Sequence, residues 1–154
     1  MIFVHDTRDK PSKHKNVTEH LLSQGHQIVR SKLFVGDISF LNDQSVCIDL
    51  KRNLSEICLN VCQQHSRFRA ELIRANEYGI KLVILCEHGR DIKCLNDVIG
   101  WVNPRIKESP MAVSGERLYK ILSVISVKYS VDFLFCTKAE TGKRIIELLT
   151  EESK

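Results

Sequence analysis

With 154 residues, 43% of them hydrophobic and 27% charged, the chain is long enough to bury one substantial core and is not the composition of a disordered protein. A net charge of +4 fits an anionic partner without requiring one. No apolar stretch approaches the ~18–20 residues of a membrane span, and Met1 runs straight into a short apolar segment with no signal-peptide pattern. The expectation is one soluble, cytoplasmic domain over residues 1–154 with no membrane contact.

Ile2-Phe3-Val4 reads as a buried first strand that delivers Asp6 at its end. Residues 9–15 read as a charged loop, and Asn16 with Glu19 as the capped start of a helix that Gly25 stops. Gln27–Lys32 reads as a second strand, and Leu33-Phe34-Val35-Gly36-Asp37 leads into a third, with Asp37 at its end. Asn42-Asp43 turns the chain into a strand over Ser45–Lys51. There Val46, Ile48 and Leu50 share one face as core, while Cys47, Asp49 and Lys51 share a charged face.

Helical sequence follows from Leu54 to Tyr78, broken near Gln63–Ser66 and stopped by Gly79. In its second part Arg67, Glu71 and Arg74 recur at i, i+4, i+7, apart from the apolar face of Phe68 and Leu72. Leu82–Cys86 is a continuous apolar run and predicts a central strand buried on both faces. Residues 91–99 read as helix and 100–113, with Pro104 and Pro110, as a long loop. Ser114 opens an amphipathic helix, Val131–Cys136 is another buried strand, and Thr137 with Glu140 caps a last helix. Six cysteines without a CxxC pair read as buried thiols, not as zinc ligands or disulfides. Strands alternate with helices after residue 45, so the class is α/β with a mixed sheet.

Gly36-Asp37 followed by Asp49-Leu50-Lys51 is the pattern that carries chemistry. Two carboxylates can hold one hard divalent cation such as Mg²⁺ or Mn²⁺. A neighbouring lysine can orient or deprotonate an attacking water, or neutralise charge on a phosphate. The pattern is short, and a solvated strand edge would look the same.

The chain resembles the nuclease domain of XPF-type structure-specific endonucleases, in the PD-(D/E)xK superfamily. The family's opening Asp-x-Arg-Glu is matched by Asp6-Thr7-Arg8-Asp9, its Gly-Asp by Gly36-Asp37, and its Glu-Arg-Lys by Asp49-Leu50-Lys51. Arg67 and Glu71 resemble an Arg and an acidic residue on the following helix. Leu82–Cys86 and Tyr129–Thr137 resemble the family's second half. Small stand-alone nuclease-like proteins of bacteria and phages are similar around Trp101–Arg105 and Ser114-Gly115-Glu116. The departures are Asp49 for Glu, Leu50 for Arg, and Ser55 with Glu56 adjacent where the family has an Asp. The helix-hairpin-helix module that often follows is missing.

The resemblance implies a restriction-endonuclease-like α/β fold, a mixed central sheet flanked by helices. It implies a Mg²⁺- or Mn²⁺-dependent DNA endonuclease acting on branched or junction DNA as a homodimer, in recombination or repair. Asp37 and Asp49 would bind metal, Lys51 would serve the water, and Asp6 would support the cluster as a further ligand, or else cap the turn at its strand's end. Arg8, Glu56, Arg67 and Glu71 would stand behind them or contact phosphate; the alternatives are an Arg8 pair with Asp6 or Asp9 and an Arg67–Glu71 pair on the helix surface. From their charge alone, Arg52, Arg69, Arg74, Arg105 and Lys107 are candidate DNA-backbone contacts, with a solvated surface cation as the alternative at each. Trp101 would either stack on an unpaired base or anchor its loop to the core. His65 and His88 read as surface or capping residues, not bases. A silent DNA- or partner-binding module and a sequence-specific restriction-type enzyme are the alternatives.

Overall fold

The computed structural model describes residues 1–152. Six strands form one mixed sheet in the order β2-β1-β3-β4-β5-β6: β1 (Ile2–His5), β2 (Gln27–Arg30), β3 (Ile38–Phe40), β4 (Val46–Lys51), β5 (Lys81–Glu87) and β6 (Asp132–Cys136). β2 runs parallel to β1, while β3 is antiparallel to both β1 and β4. β4, β5 and β6 are mutually parallel. The helices are α1 (Lys15–Ser23), α2 (Leu54–Cys62), α3 (His65–Glu77), α4 (Gly115–Tyr129) and α5 (Thr141–Glu152).

The sheet separates two cores. On one face Phe3, Ile48, Leu50, Val83 and Leu85 pack against Val17 and Leu21 of α1 and Ile145, Leu148 and Leu149 of α5. On the other, Cys47, Leu82, Ile84 and Cys86 pack against Leu54 and Ile57 of α2, Phe68 and Leu72 of α3, and Leu118 and Leu122 of α4. β5 is therefore apolar on both sides because both sides are covered, as its uninterrupted run requires. Leu72 is 1% exposed, so truncating it to Ala would cost about 2–5 kcal/mol.

The second face of β4 is not the solvated face its alternation implies. α2 and α3 lie over it, leaving Cys47 1% and Asp49 5% exposed. Asp37 also stands just before β3 instead of ending a strand, and residues 9–15 are not a loop. A 3₁₀ turn over Pro11–His14 leads directly into α1. Asn16 thus lies inside the helix, where its Nδ2 donates to Glu87 Oε2 (2.9 Å) and Lys138 O (2.8 Å). Residues 91–99 make only a 3₁₀ helix over Leu95–Gly100, and another 3₁₀ turn, Pro104–Lys107, interrupts the long loop. The break between α2 and α3, the Ser114 cap of α4 and the Thr137–Glu140 capping box lie where the sequence puts them. Among the described residues no helix is long and apolar enough to cross a membrane.

Candidate functional site

Strand register assembles the site. Ile38 of β3 pairs with both His5 of β1 and Ile48 of β4. One step along two antiparallel ladders places Asp6, Asp37 and Asp49 side by side across three strands. The backbone confirms the row: Asp6 N donates to Asp37 O and Asp37 N donates to Ile48 O, both at 2.8 Å. Gly36 makes the approach possible. Its φ is +76°, and a Cβ there would meet Ile48 O at 3.1 Å and Cys47 Cβ at 3.2 Å, so both conformation and space select glycine.

Carboxylates opposite one another on one sheet face repel. Leu50 N donates to Asp37 Oδ2 at 2.7 Å. Burial and the adjacent Asp49 nevertheless push the Asp37 carboxyl well above its ordinary range. Asp49 Oδ2 is buried and accepts no hydrogen bond; Lys51 Nζ stands 3.3 Å from it, a charge contact without hydrogen-bond alignment. Burial would pull the Lys51 ammonium down, but Asp49, Asp37, Glu56 and Glu71 outweigh it and raise the group. Lys51 therefore holds its proton, which favours orienting and charge-neutralising roles over proton abstraction.

α3 supplies the opposite wall. Arg67, Glu71 and Arg74 all line the same cleft, of about 460 Å³, along with Asp6, Arg8, Asp9, Lys13, Asp37, Asp49, Lys51, Arg52 and Glu56. Glu71 does not pair with Arg67 along the helix surface. Its Oε1 accepts from Gly36 N at 3.1 Å. Burial first, then Asp49, pushes its carboxyl up to about 7. The cleft thus has an acidic floor of Asp37, Asp49 and Glu71 beneath basic side chains.

Of the readings open for Asp6, the structure shows the pairing with Arg8. Its Oδ2 accepts from Arg8 N (3.1 Å) and Nε (2.9 Å), and its Oδ1 from Arg8 Nη2 (3.1 Å) and Leu33 N (2.8 Å). Burial would raise this carboxyl, yet Arg8 and the Leu33 N–H hold it below its ordinary value. Four donors fill both oxygens, so Asp6 fixes the Arg8 guanidinium, which also donates to Leu33 O (2.7 Å).

Asp9 is the residue that sequence reasoning passed over. Its Oδ2 lies 2.8 Å from His5 Nε2 and 3.2 Å from His14 Nε2, and its carboxylate adds to the repulsion felt by Asp37. Burial disfavours the His14 imidazolium, but Asp9 and Glu87 overcome that and raise it to about 9. Ligand atoms of Asp9, His14 and Asp37 come within 4.8 Å of one another. These three could hold a cation together; without one, His14 Nε2 anchors the Asp9 carboxylate. The signal available in sequence was Asp9 closing the Asp-x-Arg-Glu match; nothing in sequence pointed to His14 or Glu87.

Glu56 lines the cleft mouth, accepting from Arg52 N (3.1 Å) and Nε (3.3 Å). Trp101, 8% exposed, lies in the core with Val98 and Leu118. It anchors its loop and has no face free for a base. Arg69, Arg105 and Lys107 do not line the cleft; Arg105 lines a separate hollow beside Cys58 and Met111. His88 caps α2, its Nδ1 accepting from Leu54 N at 3.2 Å.

The fold is that of a mixed-sheet α/β protein of restriction-endonuclease-like architecture, six strands flanked by helices. In particular it has the fold of XPF from Aeropyrum pernix. One such structure superposes with a TM-score of 0.69 at 18% identity over 100% of this chain. A second, XPF from the same organism in complex with DNA, gives 0.67 at 18% identity over 98%. The chain spans 66% and 64% of those two proteins. No protein-family model and no curated protein sequence matches it.

Proposed function

We propose that the protein is a metal-dependent endonuclease that hydrolyses phosphodiester bonds in DNA, with branched or junction DNA as substrate. The observation that carries this reading is the buried, hydrogen-bond-free Oδ2 of Asp49 beside the crowded Asp37 carboxyl. Two carboxylates forced together in a basic-rimmed cleft are poorly placed for each other and well placed for a hard divalent cation. The donor set fits Mg²⁺ or Mn²⁺, with Asp37 and Asp49 as holders and Glu71 alongside. When bound, such an ion would supply a water of lowered pKa and neutralise phosphate charge.

The chain's own residues do the rest. Lys51, held as an ammonium between the acids, orients the water and offsets negative charge building on the phosphate. Arg8, locked by Asp6, presents a fixed guanidinium at one side of the cleft. Arg67 and Arg74 on α3 and Arg52 on the β4–α2 turn offer cations to flanking phosphates. A homodimer would set two such clefts for paired incisions on a branched substrate.

The test is Mg²⁺-dependent cleavage of duplex, flap, fork and four-way DNA by wild type and Asp49→Ala. Cleavage of branched DNA by wild type alone is the expected result. Equal, negligible cleavage by both would replace the enzyme with a DNA-binding module. A fixed cutting pattern on linear duplex would indicate a restriction-type enzyme.

A further inference from the structure

Of six phenylalanines, Phe34 alone is exposed, and of three tyrosines, Tyr78 alone. These two, 53% and 57% exposed, are stacked on one another, with ring centroids 4.5 Å apart and planes 25° from parallel. A chain that buries or half-buries every other Phe, Tyr and Trp ring has gathered the two it leaves in water into one stack.

The stack adjoins the cleft: neither ring lines it, but Val35, next to Phe34, and Arg74 do. Phe34 lies three residues before Asp37 across the bend at Gly36, so at most about 10 Å of chain separates them. Tyr78 lies seven residues beyond Glu71, about 10 Å along the axis of α3. Arg74 joins the two: it lines the cleft, its Nη1 donates to Phe34 O at 3.1 Å, and its own carbonyl accepts from Tyr78 N at 3.1 Å. A DNA strand with its scissile phosphate over Asp37 and Asp49 would bring a base roughly three B-form steps away, at ~3.4 Å each, to these rings.

We infer that Phe34 and Tyr78 form a stacking platform for an unpaired base of the strand held in the cleft. This rests on the nuclease reading and makes it more specific: the substrate carries unpaired nucleotides beside the cut. A base inside a duplex has both faces covered by its neighbours, whereas an unpaired one can add a third layer to the stack. Every base has a π-face, so the platform selects DNA structure and not sequence. Arg74 beside the rings neutralises the phosphate that accompanies such a base.

The experiment measures binding in EDTA, by fluorescence anisotropy, of a splayed-arm DNA and of the same sequence fully paired. Phe34→Ala and Tyr78→Ala should weaken splayed-arm binding roughly 5- to 150-fold, the range that base–aromatic stacking commands, and leave duplex binding nearly unchanged. Tyr78→Phe should retain affinity, whereas Phe34→Leu, apolar but without a π-face, should lose it. A 2-aminopurine walked along the unpaired arm should be quenched at one or two positions by wild type and not by the alanine variants. Equal binding by wild type and variants, or equal loss on both DNAs, overturns the platform. If wild type cuts the splayed DNA with Mg²⁺ while these variants bind and cut as it does, the platform fails and the nuclease stands. Ring-dependent binding without any cleavage would remove the nuclease and keep the platform. Failure of wild type to bind the splayed-arm DNA overturns the platform, while the nuclease stands or falls on cleavage with Mg²⁺.

Discussion

Asp49→Asn should make the metal-free protein more stable, although it removes a buried ion pair. Glu71 is lifted from 4.5 to about 7, with burial the larger cause and Asp49 the next. A carboxyl so shifted binds more protons folded than unfolded, so stability falls as pH rises from about 4.5 to about 7. Ionising it at pH 8 costs the fold about 3 kcal/mol at ~1.36 kcal/mol per tenfold. The share due to Asp49 is on the order of 1 kcal/mol, and relief of Asp37 adds to it with the same sign. Lys51 loses its contact with Asp49 but keeps Asp37, Glu56 and Glu71 as counter-charges. The net expectation is a gain of about 1–2 kcal/mol at pH 8 in EDTA, a rise of roughly 2–8 °C in melting temperature for a chain of this size. The gain should shrink towards pH 5, where Glu71, with its carboxyl at about 7, is protonated. Chemical denaturation at both pH values measures it, and thermal scans with and without Mg²⁺ add a second arm. Mg²⁺ should raise the wild-type melting temperature and leave that of the variant nearly unmoved. An Asp49→Asn variant less stable than wild type at pH 8, or shifted equally at both pH values, would refute the account of crowded acids.

Gly36→Ala should destabilise by about 1–3 kcal/mol because it meets both a left-handed backbone and the Ile48 carbonyl. Gly79→Ala, with φ of +65° but open space around it, should cost only about 1 kcal/mol; urea denaturation of the pair separates strain from contact. His14 has its pKa raised to about 9, so its stabilisation is full below about 6.5 and is lost as pH climbs through 9. His14→Gln should flatten that alkaline decline, by about 3 kcal/mol between pH 6 and 10, in denaturation midpoints measured across that range. Trp101→Ala should cost about 3–5 kcal/mol of stability while leaving DNA affinity of the still-folded protein unchanged in anisotropy titrations.

Much of the fold was legible because its signals are local. The apolar run of β5 cannot be solvated anywhere, and the Ser114 and Thr137 caps satisfy amide groups within a few residues. What eluded the sequence is set by contacts far along the chain. Asn16 looks like a cap, and only the position of Glu87, 71 residues away, turns its amide elsewhere. Asp49 and Lys51 look like a solvated face because alternation reports that a strand has two sides, not that α2 and α3 cover the second. Asp6 was legible as a member of the row and its pairing with Arg8 as one open reading, but the Leu33 N–H that completes its shell, 27 residues away, was not.

The same distinction explains why short motifs sufficed to find the cleft. Gly36-Asp37 and Asp49-Leu50-Lys51 lie on adjacent antiparallel strands, and Ile38 facing Ile48 obliges residue 37 to face residue 49. A register slip of one residue would send Asp37 to the opposite face of the sheet, among Ile48 and Leu50. The apolar residues on both sides of β4 forbid that slip, since it would exchange buried Ile38 for a carboxylate in the α1–α5 core. The core therefore imposes the crowding of the acids. A cation can relieve that crowding without loosening the sheet, and so can the loss of one negative charge at Asp49.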